Sequence, residues 1–200
     1  MRILKKGLLC VKKSVFKLAE YSIFYLCSQM QQVNKVYISL GSNIRPRHYY
    51  MSEALRLLEE TAGRIVAHSS LYETESWGFR AETPFLNSVA ELETGLNPFA
   101  LLKQLKKIEE KLGRTEKGKP YKSRKIDLDI ISFNNEVIRT EQLTLPHVYV
   151  AQRRFVLLPL AEIAPDWIHP VLLKSSTTLL KECPDKLKVT RLEEVAANAL

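Results

Sequence analysis

The stretch Ser123–Phe133, SRKIDLDIISF, constrains the fold more than any other part of the chain. Side chains alternate along a strand, so Ile126, Leu128 and Ile130 fall on one face and Asp127 and Asp129 on the other, with the two aspartate Cα atoms about 7 Å apart. The apolar face demands a core. The acidic face demands water or a cation, because adjacent carboxylates repel. The chain must therefore build a sheet that is buried on one side and carries charge on the other. Taken alone, the pair reads as the solvated face of an edge strand. The flanking sequence changes that reading.

The remaining elements follow from hydrophobic periodicity. Val36–Leu40 reads as a strand ended by Gly41-Ser42-Asn43. Pro46 opens a helix whose Met51, Ala54, Leu55, Leu58 and Ala62 keep helical spacing, and Gly63 closes it. A strand over 65–74 and another over 85–93 come next, separated by a loop rich in breakers. Asn97 and Pro98 supply the cap and first-turn residue of a second helix, with Leu101, Leu105, Ile108 and Leu112 on one stripe and Gly113 just beyond. The acidic strand, 126–133, ends the series. This β-α-β-β-α-β order predicts an α+β fold, a ferredoxin-like antiparallel sheet with both helices on one face. A hairpin around Asn134-Asn135 and a helical C-terminal region complete the expectation. Such folds host many activities, so function has to come from the site.

The net charge of +8 is concentrated at the N-terminus: residues 1–32 hold six Lys or Arg and one Glu. The rest is only mildly basic, which argues against a nucleic-acid partner, since phosphate backbones need a concentrated basic face. Lys12, Lys13, Lys17 and Glu20 interrupt the apolar runs of the extension, which has neither the length for a membrane anchor nor the core and cleavage site of a secretory signal. Val11, Val15 and Leu18 sit at the spacing of a basic amphipathic helix. The simpler reading is a poorly ordered tail, or translated sequence upstream of a start at Met30. Residues 33–200 then form the single domain. Cys10, Cys27 and Cys183 show neither metal-ligand nor disulfide spacing, which fits a reducing cytoplasm. The chain has no P-loop, no Cys/His cluster and no Gly-x-Ser-x-Gly motif.

Three clusters carry chemistry. The segment Arg114–Lys125 holds six cationic residues and one acid and leads straight into Asp127 and Asp129. Carboxylates that hold Mg²⁺ beside cations that hold phosphate oxygens are what a polyphosphate needs, and a carboxylate pair can bridge two ions about 4 Å apart. The second cluster, Pro146–Phe155, offers His147 and Arg153 as further phosphate donors. In the third, Phe85 and Asn87 lie two apart on one strand face, where a ring can stack on a planar ligand and an amide can read its polar edge. A magnesium-dependent nucleotide hydrolase or nucleotidyltransferase uses the same parts. So does, less well, an RNA-binding module, whose backbone the carboxylates would repel.

Leu40-Gly41-Ser42-Asn43, Phe85-Leu86-Asn87, Glu109 through Gly113-Arg114, Arg124-x-x-Asp127-x-Asp129, Pro146-His147 and Arg153-x-Phe155 occur in one order and spacing. Over residues 34–170 this pattern resembles the 6-hydroxymethyl-7,8-dihydropterin pyrophosphokinases of folate biosynthesis. The resemblance implies transfer of pyrophosphate from ATP to the pterin hydroxymethyl group, with release of AMP. It implies two Mg²⁺ ions on Asp127 and Asp129, and ATP phosphates on Arg114, Arg124, His147 and Arg153. Glu109 and Tyr121 would lie at the nucleotide site. Phe85 and Phe155 would sandwich the pterin, Asn87 would read its edge, and Thr74 and Trp77 would line the pocket. The segments carrying Trp77 and residues 114–125 have the character of lids. Relatives often carry Tyr, Trp, Arg and Tyr where this chain has Phe85, Tyr121, Glu116 and Val148. The rings are kept, Glu116 reverses a charge, and Val148 removes a donor. With no room left for the further folate-pathway domains that sometimes accompany this activity, the chain reads as monofunctional, and the expectation is a cytoplasmic monomer that works on small molecules, without nucleic-acid or membrane partners.

Overall fold

The strand β1 (Asn34–Ser42) carries Val36, Ile38 and Leu40 at alternate positions and the small residues Ser39 and Gly41 on the other face towards its end, and it lies inside the sheet with a partner on each side. One neighbour is β4 (Phe85–Thr94) and the other is the acidic strand β5 (Asp127–Phe133), both antiparallel to it. The computed structural model describes residues 33–75, 83–114 and 123–193, so the expectations for residues 1–32, Trp77, Glu116 and Tyr121 fall outside the described residues.

The strand expected over 65–74 is two strands. β2 (Arg64–His68) and β3 (Tyr72–Thr74) each pair with a different part of β4. The break is at Ser69, whose N–H donates to the Val89 carbonyl at 2.9 Å while its hydroxyl accepts from the Val89 N–H at 3.0 Å. A hydroxyl thus replaces a backbone carbonyl in the ladder, an alternative open to serine. The C-terminal region also departs from an all-helical expectation. After two helices it ends in β8 (Val189–Arg191), which pairs with the edge of β3 and gives the order β5-β1-β4-β3-β8.

The two sheet faces bury different partners. Val36, Ile38 and Leu40 point to a core shared with α1 (Arg47–Thr61) and α2 (Pro98–Lys111). Asn97 caps α2 by accepting from the Ala100 N–H at 2.9 Å, and Pro98 takes the first turn, where its missing N–H costs nothing. Tyr37, Val89 and Ile131 point the other way, to a second core with α3 (Arg154–Ile163) and α4 (Ser176–Glu182). The sheet is therefore covered by helices on both faces, the C-terminal pair taking the second. A register shift at Tyr37/Ile38 places Ser132 opposite Tyr37 and Ile130 opposite Ile38, leaving Ile131 as the extra residue of a bulge. The bulge lets Ile130 and Phe133 both enter the first core while Ile131 enters the second.

The C-terminal hairpin lies further along than Asn134-Asn135. Those residues turn the chain out of β5, with Asn134 at φ 47° and its side chain engaged by β1 through the Lys35 N–H at 2.8 Å. The paired strands are β6 (Ile138–Arg139) and β7 (Thr144–Leu145). No described helix is long and apolar enough to cross a membrane.

α3 is tied to the sheet by one carboxylate. Glu162 accepts from the Ser70 hydroxyl at 2.7 Å, the Tyr72 hydroxyl at 2.9 Å and the Arg191 guanidinium at 3.1 Å, joining α3, β3 and β8. Tyr72→Phe removes one of these donors and is expected to cost about 1 kcal/mol in urea unfolding, whereas Glu162→Ala strands all three and should cost about 2 kcal/mol. Equal losses would mean that Glu162 does not act as the common tie.

Candidate active site

Register brings the chemistry-bearing residues together. Gly41 on β1 stands opposite Asn87 on β4 and opposite Asp127 on β5, and Ser39 stands opposite Asp129. The middle strand contributes small side chains, so the outer strands can reach over it. A Cβ built on Gly41 would lie 3.3 Å from Asn87 Oδ1, 3.9 Å from a Phe85 ring carbon and 4.0 Å from the Asp127 Cβ. Above this floor is a cavity of about 420 Å³, with Phe85, Asn87 and Thr74 on one side and Asp127, Asp129 and Arg114 on the other. The start of α3 supplies the wall that faces the sheet.

The charged half is built around Asp127. Arg114, just past the end of α2, donates to Asp127 Oδ1 at 2.7 Å, and Arg124 donates to Asp127 Oδ2 at 2.6 Å. Each oxygen thus holds its own guanidinium in a charge-assisted bond. Arg114 is itself gripped by Glu109, whose carboxylate also accepts from the Leu128 N–H at 2.9 Å. Glu109 is buried and sits behind the cavity, outside its lining. Burial pushes its carboxyl up to about 7, outweighing the opposing pull of the Leu128 N–H and Arg114. Burial, reinforced by the charge of Asp127, also raises Asp129.

Arg124 is placed by Asn43. The Asn43 amide accepts from the Arg124 N–H at 2.7 Å and donates to the Ser123 hydroxyl at 3.0 Å, while the Asn43 N–H donates to the Arg124 carbonyl at 3.1 Å. The end of β1 therefore clamps the residues that lead into β5.

The polar rim continues through His147 and Arg153. The His147 N–H donates to the Ile131 carbonyl at 2.9 Å, fixing the residue over β5. Its Nδ1 accepts from the Tyr149 N–H at 3.2 Å, so the neutral ring carries its proton on Nε2. Burial first, and the Arg153 charge second, pull the imidazole down to about 4. Arg153 precedes α3, with its guanidinium 4.8 Å from the centre of the Tyr149 ring and 5.8 Å from that of Phe155. On the opposite side the Asn87 amide donates to the Thr74 hydroxyl at 2.9 Å, which fixes its orientation.

Of the residues expected at a site, Thr74, Phe85, Asn87, Phe155, Arg114, Arg124, Asp127, Asp129, His147 and Arg153 all line this one cavity. Gly41 and Asn43 were legible as a strand end and as part of the resemblance pattern but carried no expected role, and neither did Tyr149, which joins the lining beside the exposed Val148. The aromatic-cationic pattern Tyr149-x-x-x-Arg153 was the available signal.

Asp127 and Asp129 offer oxygen donors, the ligand type hard divalent cations take. Asp129 lines the same cavity beside Asp127, so the oxygens of the pair are placed to meet a cation. No group of three or more His, Cys, Asp or Glu gathers among the described residues, so a cation there would draw its remaining ligands from water or from substrate oxygens.

An antiparallel sheet with helices on both faces, bearing a cleft of paired carboxylates and arginines opposite an aromatic and amide wall, has the make-up of a phosphate-handling transferase. The family model described as 7,8-dihydro-6-hydroxymethylpterin-pyrophosphokinase matches residues 37–165, and the chain belongs to that family. A Porphyromonas gingivalis protein named 2-amino-4-hydroxy-6-hydroxymethyldihydropteridine pyrophosphokinase is 44% identical over 138 residues, which are 68% of this chain and 93% of that one. A Bacillus subtilis protein of the same name is 47% identical over 131 residues, 65% of this chain and 78% of its own. The crystal structure of a Plasmodium falciparum HPPK-DHPS triple mutant superposes with a TM-score of 0.62 at 21% identity, covering 78% of this chain and 45% of that one, and supports the fold.

The state of His147 is directly testable. Its ordinary value of 6.5 belongs to the unfolded chain and about 4 to the folded one, so its contribution to stability is present at neutral pH and lost as pH falls from 6.5 towards 4. Its imidazole NMR resonances should hold their neutral positions from pH 8 down to about pH 5. A midpoint near the ordinary value would remove the assignment of a neutral Nε2–H donor.

Proposed function

We propose that this chain transfers the pyrophosphoryl group of ATP to the hydroxymethyl oxygen of 6-hydroxymethyl-7,8-dihydropterin, releasing AMP, as a step of folate biosynthesis. The observation that carries the proposal is the double register of Gly41, which sets a planar-ligand wall and a polyphosphate wall face to face across one strand. The substrate oxygen attacks the β-phosphorus, the bond from that phosphorus to the α,β-bridging oxygen breaks, and the hydroxyl proton leaves to solvent.

Phe85 and Phe155 hold the pterin between their rings, while Asn87, oriented by Thr74, reads its polar edge. Arg114, Arg124 and Arg153 hold phosphate oxygens, and neutral His147 donates from Nε2. Glu109 acts behind Arg114, setting its direction. Asp127 and Asp129 would hold Mg²⁺, in the two-ion arrangement, which when bound neutralises phosphate charge and aligns the triphosphate. Transfer of this kind depends on in-line positioning and charge stabilisation, so no strong base is assigned. The strand order, with β2 and β3 together taking the place of one edge strand, supports a ferredoxin-like reading of the sheet. The cysteine pattern supports a reducing, cytoplasmic setting. We read the protein as a monomer acting on small molecules.

Purified protein with ATP, Mg²⁺ and 6-hydroxymethyl-7,8-dihydropterin should form AMP only when the pterin is present. Asp127→Ala and Asp129→Ala should each lower the rate about 100-fold or more. Pterin-independent release of AMP would instead favour a nucleotide hydrolase. Gly41→Val should raise the pterin Kd, measured by pterin fluorescence, far more than the ATP Kd, because the new side chain meets Asn87 and Phe85 first. Equal weakening of both ligands would show that Gly41 does not shape the pterin wall.

A further inference from the structure

The two arginines on Asp127 occupy the oxygens that a cation would use. We infer that in the nucleotide-free protein Arg114 and Arg124 stand in for the divalent cation on Asp127, so that cation and arginines compete for one carboxylate until nucleotide phosphates draw the arginines away. This rests on the reading of the cleft as a site for metal and nucleotide together.

The geometry carries the competition. Asp127 takes a guanidinium on each oxygen, at 2.7 and 2.6 Å, with all three side chains largely shielded: the exposures of Arg114, Arg124 and Asp127 are 30%, 21% and 24%. Hydrogen bonds between charged partners in such a setting are shorter and stronger than those between neutral groups. A carboxylate oxygen keeps a second lone pair, but a cation placed there would touch two fixed positive groups, with little water between them to weaken the repulsion. The arginines are not loose ends that drift aside. Glu109 holds Arg114 from behind, and Asn43 holds the backbone of Arg124. They need another anion before they will release Asp127, and a triphosphate supplies one.

The charge balance points the same way. Around the carboxyl pair Asp127 and Asp129 stand three guanidiniums, those of Arg153, Arg124 and Arg114. A bare divalent cation would add to this positive charge, whereas a triphosphate entering with its cations brings both signs together. Metal and nucleotide therefore bind with positive coupling, and the arginines set its size. The cleft resists filling by metal alone.

The experiment uses Mn²⁺ as a paramagnetic hard cation, with free ion counted by EPR, on the full-length protein. Without nucleotide, Arg124→Gln and, separately, Arg114→Gln should bind Mn²⁺ about tenfold more tightly than wild type, while both bind a non-hydrolysable ATP analogue more weakly. Arg153→Gln, which removes a neighbouring charge that does not contact Asp127, is the control for the general field and should change Mn²⁺ affinity much less. Circular dichroism establishes that each variant is folded, and either arginine variant alone suffices for the test. If neither variant gains Mn²⁺ affinity, or if Arg153→Gln gains as much, the competition is overturned while the metal–nucleotide reading stands. If Mn²⁺ fails to bind wild type even with the analogue present, that reading fails, and the inference falls with it.

Discussion

Everything at the site depends on the antiparallel pairing of β1 with a strand on each side. One residue, Gly41, is opposite Asn87 in one ladder and Asp127 in the other. Strand spacing of about 4.8 Å then fixes how far the amide wall stands from the acidic wall, without a loop having to find the geometry. The alternate residues of β1 pin that register. Val36, Ile38 and Leu40 are fully buried, and a slip by one residue would turn them out to the charged face. The hydrophobic core thus decides where the carboxylates point.

The charge of Asp127 on that face is tolerable because it is held by neighbours that the fold positions independently. Asp127 is neutralised by residues arriving from the end of α2 and from the entry to β5. Glu109 accepts the N–H of Leu128, a residue whose own side chain enters the core. The same peptide stretch therefore serves packing and charge at once. Gly113, at φ 86°, lets the chain leave α2 sharply enough for Arg114 to turn back towards Asp127, a conformation that other residues resist. The cost of placing acids beside one another is met by arginines whose own freedom is already restricted.

Much of this was legible in the sequence, for a definite reason. Periodicity reports burial, so the strands through Val36–Leu40 and Leu128–Ile130 and the stripe of Leu101, Leu105 and Ile108 announced themselves. What escaped was set by single side chains acting on the backbone. Ser69 interrupts a strand by offering its hydroxyl to the ladder. Ile131 forms a bulge that rescues Phe133 for the core. β8 carries no apolar alternation and exists because β3 leaves an edge to pair with. The turn at Asn134 looked like the tip of a hairpin because Asn-Asn suits positive φ, yet its amide is committed to β1. Glu109 was read as part of the nucleotide site from its motif. Its position on the buried side of α2, gripping Arg114, follows from helix phase, which places it next to Ile108 in the core-facing stripe.

The two halves of the cleft are built to different tolerances, and the chemistry explains why. The wall of Phe85, Asn87 and Thr74 is fixed by ladder bonds and by the Asn87 to Thr74 contact, so it can discriminate a flat heterocycle by shape and by its hydrogen-bonding edge. Across from it, Arg114 and Arg124 are ion-paired with Asp127, so on the proposed reading these pairs exchange partners when a phosphate is held. A rigid recognition wall opposite an exchangeable charged wall suits a transfer between two substrates. One substrate needs to be oriented, while the other needs its charge redistributed as a phosphorus–oxygen bond breaks. Because both walls are hung from β1, the exchange on one side need not disturb the alignment on the other.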